Sequence, residues 1–183
     1  ADWLKVIERS DVMWRPTFIY NSFIDTAYTA DTKNDPTGML TCTFIDGELI
    51  IVDYWAKHLE INDCISEIEA THELYCDRRS RVVIENKASG ISINQELKRR
   101  FRAKMNVNLY KVKGSKENRL RAFEGFIEQG KVKLLRGKWN DDFITEVAGF
   151  PAAPHDEAVD CLVMAIGYYL DGQSRGSRKF EIY

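Results

Sequence analysis

The chain has 183 residues, of which 44% are hydrophobic and 30% are charged, and its formal net charge is −2 at pH 7. This length and composition are typical of one ordinary globular domain with a buried core. No apolar run approaches the ~20 residues of a membrane-spanning helix, and the charged N-terminus is unlike a signal peptide. The four cysteines form no CxxC pair of the kind typical of a zinc site.

The front of the chain predicts three antiparallel strands after a short lead-in. Residues 1–16 lack periodicity and are predicted to be a linker that enters the domain. The segment TFIYNSFIDTAYT, residues 17–29, is rich in aromatic and β-branched residues and predicts the first strand. Two further strands are expected in MLTCTFI and ELIIVDYWAKHL, because Asp46-Gly47 between them is typical of a two-residue hairpin.

Helices and strands alternate over the rest of the chain. Residues 60–79 carry apolar side chains at spacings of three and four, which predicts a helix, and RVVIEN predicts a strand that enters the sheet by a crossover. A helix over residues 92–105 is expected to begin at Ser92 as N-cap. The later predictions are a strand at 107–112, a helix at 115–129, a strand at 131–135, helices at 141–148 and 155–170, and a mobile tail at 171–183. This order predicts an α/β fold with a central mixed sheet, antiparallel front strands and flanking helices.

Charge is unevenly distributed along the chain. Acids concentrate in residues 25–63 and 141–160. Basic residues concentrate further on, against the single acid Glu117: Lys98, Arg99, Arg100, Arg102, Lys104, Lys111, Lys113, Lys116, Arg119 and Arg121. Such a chain could hold cations in one region and a polyanion in another, although a solvated helix face would give the same basic pattern.

Several acids lie where strand ends and a helix start can converge. Asp25 lies within the first predicted strand, and Glu85 ends RVVIEN. Asp156 starts the last predicted helix, with Glu157 beside it and Asp160 one turn later. Gathered carboxylates repel one another unless divalent cations neutralise them. Oxygen ligands suit Mg²⁺ or Mn²⁺, and two such ions about 3.5–4 Å apart can activate a water for phosphodiester hydrolysis.

Each acid also has a structural interpretation. Asp25 could pair with a buried Lys or Arg, and Glu85 could cap a turn. Asp156 and Glu157 could lie at the start of the helix because its dipole is positive there. The dipole accounts poorly for Asp160, which lies on the apolar side of the predicted helix.

Three segments, FIDTAYTAD, VVIENKASG and FPAAPHDEAVDCLVMAI, together resemble the nuclease domain of the large terminase subunit of tailed bacteriophages. KENRLRAFEGFIEQGKVKLL looks like the Arg-bearing helix and following strand of that family. The resemblance covers residues 17–170 in the correct order. It implies an RNase H-like fold and a metal-dependent endonuclease that cuts concatemeric viral DNA before and after packaging.

The resemblance also implies a set of metal-binding carboxylates: Asp25, Glu85, Asp156, Asp31, Asp160 and Glu157. Of these, Asp25, Glu85 and Asp156 would be the catalytic acids that bind Mg²⁺ or Mn²⁺, and Asp31 would be an auxiliary ligand. The family often has two adjacent Asp residues where this chain has Asp156-Glu157, which leaves open whether Asp156 completes the site alone or together with Glu157 or Asp160. His155 could orient a carboxylate, contact phosphate or only cap the helix.

Cutting DNA requires phosphate-neutralising cations, and the candidates are basic residues around and after the second acid: Lys87, Lys98, Arg99, Arg102, Lys104, Lys111, Lys113, Lys116 and Arg119. The chain has no GxxxxGK[ST] motif, so the ATPase motor of the full subunit is expected to be a separate domain that residues 1–16 would join. The resemblance implies double-stranded DNA, that motor, the portal and the small terminase subunit as partners, in the host cytoplasm and not at a membrane.

Other functions are compatible with the same residues. Junction resolvases, RNase H and DDE transposases share the RNase H-like core and would differ in the nucleic acid that they cut. In a non-catalytic DNA-binding or assembly module, the acids would be structural and the stretch from Lys98 to Arg121 would be the active surface.

Overall fold

The computed structural model describes residues 3–27, 35–111 and 123–177, with side chains described through residue 172. The strands within these ranges are β1 (Lys5–Ile7), β2 (Asn21–Asp25), β3 (Thr37–Ile45), β4 (Glu48–Lys57), β5 (Arg81–Glu85), β6 (Asn106–Tyr110) and β7 (Val132–Leu135). The helices are α1 (Ile61–Tyr75), α2 (Ala88–Phe101), α3 (residues 123–128), α4 (Asn140–Gly149) and α5 (Glu157–Ser177). No helix in these ranges combines the length and apolar character that crossing a membrane requires.

The strands form one mixed sheet in the order β1-β7-β4-β3-β2-β5-β6 within the described ranges. β2, β3 and β4 form the expected antiparallel meander. The hairpin between β3 and β4 turns at Asp46 and Gly47, whose φ angles of 50° and 83° are those of a type I′ turn. β5 lies parallel to β2, and β6 parallel to β5, because α1 and α2 carry the chain back along the sheet. The predicted α/β fold class is therefore confirmed.

The lead-in segment contributes to the sheet. Lys5–Ile7 form β1, which pairs in parallel with β7 at the sheet edge, and Arg9–Asp11 form a short 3-10 helix. The prediction of a linker over residues 1–16 did not anticipate this strand, since three residues are too few for alternation to show. The connection of this segment to a motor domain stays a prediction. The first full strand is also shorter than predicted, because β2 covers only Asn21–Asp25.

Several helix boundaries differ from the predictions by about a turn or more. α1 ends at Tyr75 instead of residue 79. α2 begins at Ala88, one turn before the predicted N-cap Ser92, and Gly90 in its first turn allows a close contact with β5. α5 continues to Ser177, into the predicted mobile tail. Gly and Ser have low helix propensity, but extending a helix that is already anchored in the core costs little. The helix predicted over residues 115–129 is described only from residue 123.

The core lies on both faces of the sheet. One cluster packs β2–β4 and β7 against α3, α4 and α5, and includes Phe23, Leu40, Phe143 and Leu162. The other packs the opposite face against α1 and α2, and includes Ile24, Met39, Ile68 and Leu97. Phe23 and Ile24 belong to different clusters because side chains alternate along a strand. Asp25 therefore extends from β2 on the same face as Phe23, towards α5.

Candidate metal centre

Asp25 is the last residue of β2 and lies largely buried between β3 and α5. It pairs in register with Gly38 of β3, and 7% of the residue is exposed. The pKa of Asp25 is raised to about 6. Burial is the main cause, Lys87 opposes it, and the charges of Asp160 and Glu85 add to it. Acids from β2, β5 and α5 thus act on one another at one end of the sheet.

Lys87 joins the ends of the two parallel strands. Its ammonium donates to Asp25 Oδ1 and lies 3.3 Å from Glu85 Oε2. Partial burial alone would lower the pKa of Lys87, but the two carboxylates raise it above its ordinary value. Asp25 therefore has the cationic partner that a structural role would need, and the same contact shows that Asp25 and Glu85 converge.

The start of α2 is fixed against the strand ends by two features. The Thr26 hydroxyl donates to Ser89 Oγ at 2.8 Å, and the Ser89 hydroxyl donates to the Thr26 carbonyl at 3.0 Å. A Cβ on Gly90 would lie 2.2 Å from the carbonyl oxygen of Glu85, so only glycine allows this approach. These contacts position Lys87, the N-cap residue of α2, beside the acids.

Glu157, the first residue of α5, is buried, and no other described side chain forms a hydrogen bond with its carboxylate. Only 1% of it is exposed, and neither carboxylate oxygen accepts a hydrogen bond from another described residue. A Cβ on Gly38 would lie 2.8 Å from the Glu157 Cβ, so glycine at 38 lets α5 approach β3 beside Asp25. The pKa of Glu157 is raised to about 7. Burial is the main cause, a hydrogen bond from its own amide lowers the pKa, and the charges of Glu146, Asp35 and Asp156 raise it.

Asp156 and Asp160 lie one turn apart at the start of α5, where the Asp160 amide donates to the Asp156 carbonyl at 2.8 Å. The charge of Asp160 acts on Asp25. The charge of Asp156 acts on Glu157 and Glu146. The first turn of α5 thus brings all three of its acids to this end of the sheet.

Glu146 of α4 was not among the predicted site residues. Its Oε1 accepts a hydrogen bond from the Ala158 amide at 2.5 Å, and the Tyr54 hydroxyl donates to Oε2 at 3.2 Å. Glu146 therefore caps the first turn of α5 from a neighbouring helix. The sequence signal was weak, since a half-buried acid on an amphipathic helix is common and its acceptor role depends on a distant backbone group.

The donor set fits a divalent cation that prefers oxygen ligands. Lys87 supplies one positive charge beside Asp25 and Glu85, while Asp160 and Glu157 add further negative charge. Because neither Glu157 oxygen accepts a hydrogen bond from another described residue, both are available to coordinate an ion. In a purely structural role, burying these oxygens without hydrogen bonds would be costly. Carboxylate oxygens contributed by several elements suit Mg²⁺ or Mn²⁺.

Of the predicted DNA contacts, Lys87 lies against the acids, and Lys111 follows Tyr110, the register partner of Glu85. Those on α2 lie further away. At a rise of about 1.5 Å per residue, Lys98 lies ~15 Å along the helix from Ala88. Several neighbouring cations are paired: Arg99 contacts Glu96 at 2.8 Å, and Lys104 contacts α1. Lys98, Arg102 and Lys111 are exposed. Four predicted residues lie outside the described ranges: Asp31, Lys113, Lys116 and Arg119.

Comparisons with known proteins agree with this architecture. Residues 66–168 match the family model described as the terminase RNase H-like domain. The large terminase nuclease from thermophilic phage G20c, in a crystal structure with bound zinc, gives a TM-score of 0.66 at 21% identity and covers 92% of this chain and 94% of its own. The human cytomegalovirus terminase nuclease domain gives 0.66 at 15% identity, with 92% and 90% covered.

The large terminase of a second thermophilic bacteriophage is longer than this chain. It gives a TM-score of 0.64 at 13% identity, and the match covers 86% of this chain but 42% of that protein. No curated protein sequence matches the chain. At these identities the structural likeness establishes a shared fold, which is RNase H-like.

Proposed function

The chain belongs to the terminase RNase H-like domain family, and we propose that it is a metal-dependent DNA endonuclease of a viral DNA-packaging terminase. The observation that carries this proposal is the convergence of Asp25, Glu85 and the first turn of α5 at one end of the sheet. Carboxylates brought together from separate elements are typical of sites that bind divalent cations.

The ligands would be the carboxylates at this end of the sheet: Asp25, Glu85, Asp156, Glu157 and Asp160, with Asp31 as an auxiliary ligand. Two Mg²⁺ or Mn²⁺ ions would lower the pKa of an attacking water and stabilise charge on the departing 3′-oxygen. The phage G20c nuclease has been crystallised with bound magnesium, and the human cytomegalovirus domain after a manganese soak, which supports this choice of ions.

Among the acids at the start of α5, we assign the position beside Asp25 to Asp160, because the charge of Asp160 acts on Asp25 directly. Asp156, one turn before Asp160, would be the third catalytic acid that the resemblance implies. Glu157 packs beside Gly38, the register partner of Asp25, and would be a further ligand.

Lys87 has two roles in this proposal. Its ammonium neutralises Asp25 and Glu85 before an ion binds, because it lies against both carboxylates. With a divalent cation bound to these carboxylates, the Lys87 ammonium would be free to contact a phosphate of the DNA. The other phosphate contacts would come from the basic residues that the sequence predicts for this role: Lys98, Arg99, Arg102, Lys104, Lys111, Lys113, Lys116 and Arg119. Such contacts neutralise phosphates without reading bases, so cleavage would have little sequence preference.

The biological setting follows from the family. The substrate would be concatemeric double-stranded DNA in the host cytoplasm. An ATPase motor domain of the same subunit would feed that DNA to the nuclease, with the portal and the small terminase subunit as further partners. The longer phage large terminase, of which the match covers 42%, supports a longer parent protein.

The ion pair between Lys87 and Asp25 favours one alternative from another class. In a non-catalytic DNA-binding or assembly module, Asp25 would be a structural acid that Lys87 neutralises. That module would bind DNA in a salt-sensitive manner, EDTA would not change the binding, and no metal would support cleavage.

The deciding experiment measures Mn²⁺-dependent nicking of supercoiled plasmid by Asp25→Asn and Glu85→Gln. Each substitution removes one ligand charge, so we expect nicking to fall by about a hundredfold or more. Asp142→Asn, an exposed acid on α4, is the matched control and should nick normally. Circular dichroism verifies the fold. Undiminished nicking by both variants would refute the site, and preference for a four-way junction or an RNA–DNA hybrid would favour another RNase H-like nuclease.

A further inference from the structure

A second group of potential metal ligands includes the carboxylate of Glu157. Asp35, in the segment before β3, and His155, before α5, each offer one ligand atom, and these atoms and one from Glu157 all lie within 4.8 Å of one another. The His155 Nδ1 is 3.9 Å from Glu157 Oε2. Three residues from two chain-distant segments therefore converge at distances that one ion can span.

Glu157 provides an independent indication that this group holds a ligand. It is 1% exposed, and neither of its oxygens has a hydrogen-bond partner among the described residues. A buried carboxylate without a partner is costly, and native proteins rarely keep one that nothing binds. Its neighbours here, Asp35 and His155, are exposed, so an ion can enter from solvent.

The chemistry of the group differs from that of the strand ends. Asp25 and Glu85 offer only oxygens, whereas His155 offers an imidazole nitrogen. Imidazole suits Zn²⁺ and other later first-row ions such as Co²⁺, whereas Mg²⁺ favours oxygen ligands and keeps much of its water; Mn²⁺ accepts ligands of both kinds. One nitrogen and two carboxylates thus form a donor set typical of transition metals.

We infer that Asp35, His155 and Glu157 form a transition-metal subsite that takes Mn²⁺, Co²⁺ or Zn²⁺ in preference to Mg²⁺. It adjoins the proposed catalytic centre and shares Glu157 with it, but metal binding there requires neither DNA nor cleavage. His155, for which the sequence left open orienting a carboxylate, contacting phosphate and capping the helix, becomes a metal ligand. Asp35, which the sequence placed only in a turn, becomes its carboxylate partner.

The test is calorimetric titration of the chain with Mn²⁺, Co²⁺ and Mg²⁺ as chloride salts, for wild type, His155→Gln and Asp35→Asn. We expect both substitutions to weaken Mn²⁺ and Co²⁺ binding at the subsite by about tenfold or more and to change Mg²⁺ binding by less than about twofold. Asp46→Asn is the matched control at the opposite end of β3, where asparagine tolerates the positive φ. It should bind all three ions as the wild type does.

Absorption spectra of the Co²⁺-loaded protein give a second readout. Replacing the imidazole by an amide should change the visible bands of the bound Co²⁺, while Asp46→Asn should leave them unchanged. Unaltered Mn²⁺ and Co²⁺ affinities in both variants, or an equal loss of Mg²⁺ affinity, would overturn the subsite. Failure of plasmid nicking with intact selective metal binding would instead contradict the proposed nuclease function alone.

Discussion

Lys87 and Asp25 form an ion pair that joins the start of α2 to the end of β2. The same ammonium lies 3.3 Å from Glu85, so one positive charge is shared between two carboxylates. Sharing leaves both acids incompletely neutralised, and any divalent cation that binds them competes with the ammonium. This relationship accounts for a buried aspartate in a hydrophobic strand and would make the affinity for a metal depend on a residue that is not a ligand.

Lys87→Met should destabilise the metal-free protein and strengthen its binding of Mn²⁺. Loss of the ammonium leaves Asp25 buried without its partner, at a cost between those of an exposed and a buried pair, about 1–3 kcal/mol. Mn²⁺ then no longer competes with an internal cation. Urea unfolding and Mn²⁺ calorimetry measure the two effects. Lys98→Met, on the exposed face of α2, is the control, and equal Mn²⁺ affinity in both variants would contradict the competition.

The stability of the metal-free protein should fall as pH rises. Burial raises the pKa of Asp25 to about 6 and that of Glu157 to about 7. Between about pH 4 and these values the folded state binds more protons than the unfolded state, so the free energy of unfolding decreases with pH in that window, by about 1.4 kcal/mol per unit of pKa difference.

Urea unfolding at several pH values between about 5 and 8 checks this expectation. Glu157→Gln cannot titrate and should flatten the decrease near pH 7. Saturating Mn²⁺ should reverse the trend, because the ion binds deprotonated carboxylates. A metal-free protein that becomes more stable from pH 5 to pH 8 would show that these two acids do not dominate the pH dependence.

Gly90→Ala should destabilise the fold and disturb the position of Glu85. The new Cβ would lie 2.2 Å from the Glu85 carbonyl oxygen and 2.9 Å from Ile84 Cγ2, so α2 must move, at a cost of about 1–3 kcal/mol. Urea unfolding measures the loss, and calorimetry should show weaker Mn²⁺ binding. Gly172→Ala is the control, since a Cβ there meets nothing within 4 Å and should be neutral or stabilise α5 by up to about 1 kcal/mol.

Glu146→Ala should loosen the first turn of α5. It removes the acceptor of the Ala158 amide and of the Tyr54 hydroxyl, and we expect a loss of about 1–2 kcal/mol by urea unfolding. Glu146→Gln keeps an oxygen acceptor and removes the charge, so it should retain most of this stability while lowering the pKa of Glu157. Equal stability of the alanine variant and the wild type would show that the cap contributes nothing.

Local signals in the sequence were sufficient for most of the architecture. The Asp46-Gly47 pair predicted the hairpin because few other residues adopt positive φ at both positions. Asp25 and Glu85 were recognisable because each ends an apolar strand. Local signals failed where contacts between distant residues determine an element. β1 is too short to show a pattern, and the start of α2 depends on how closely Gly90 approaches Glu85.

The sequence by itself determined most of the elements, their order and most of the acids at the site, because periodicity and turn chemistry act over a few neighbouring residues. Only the tertiary structure decided which groups surround each acid: Asp25 and Glu85 share Lys87, while Glu157 is buried near Asp35 and His155. Charge interactions and desolvation depend on distance and burial, and sheet order and helix packing set these for residues that lie far apart in the chain.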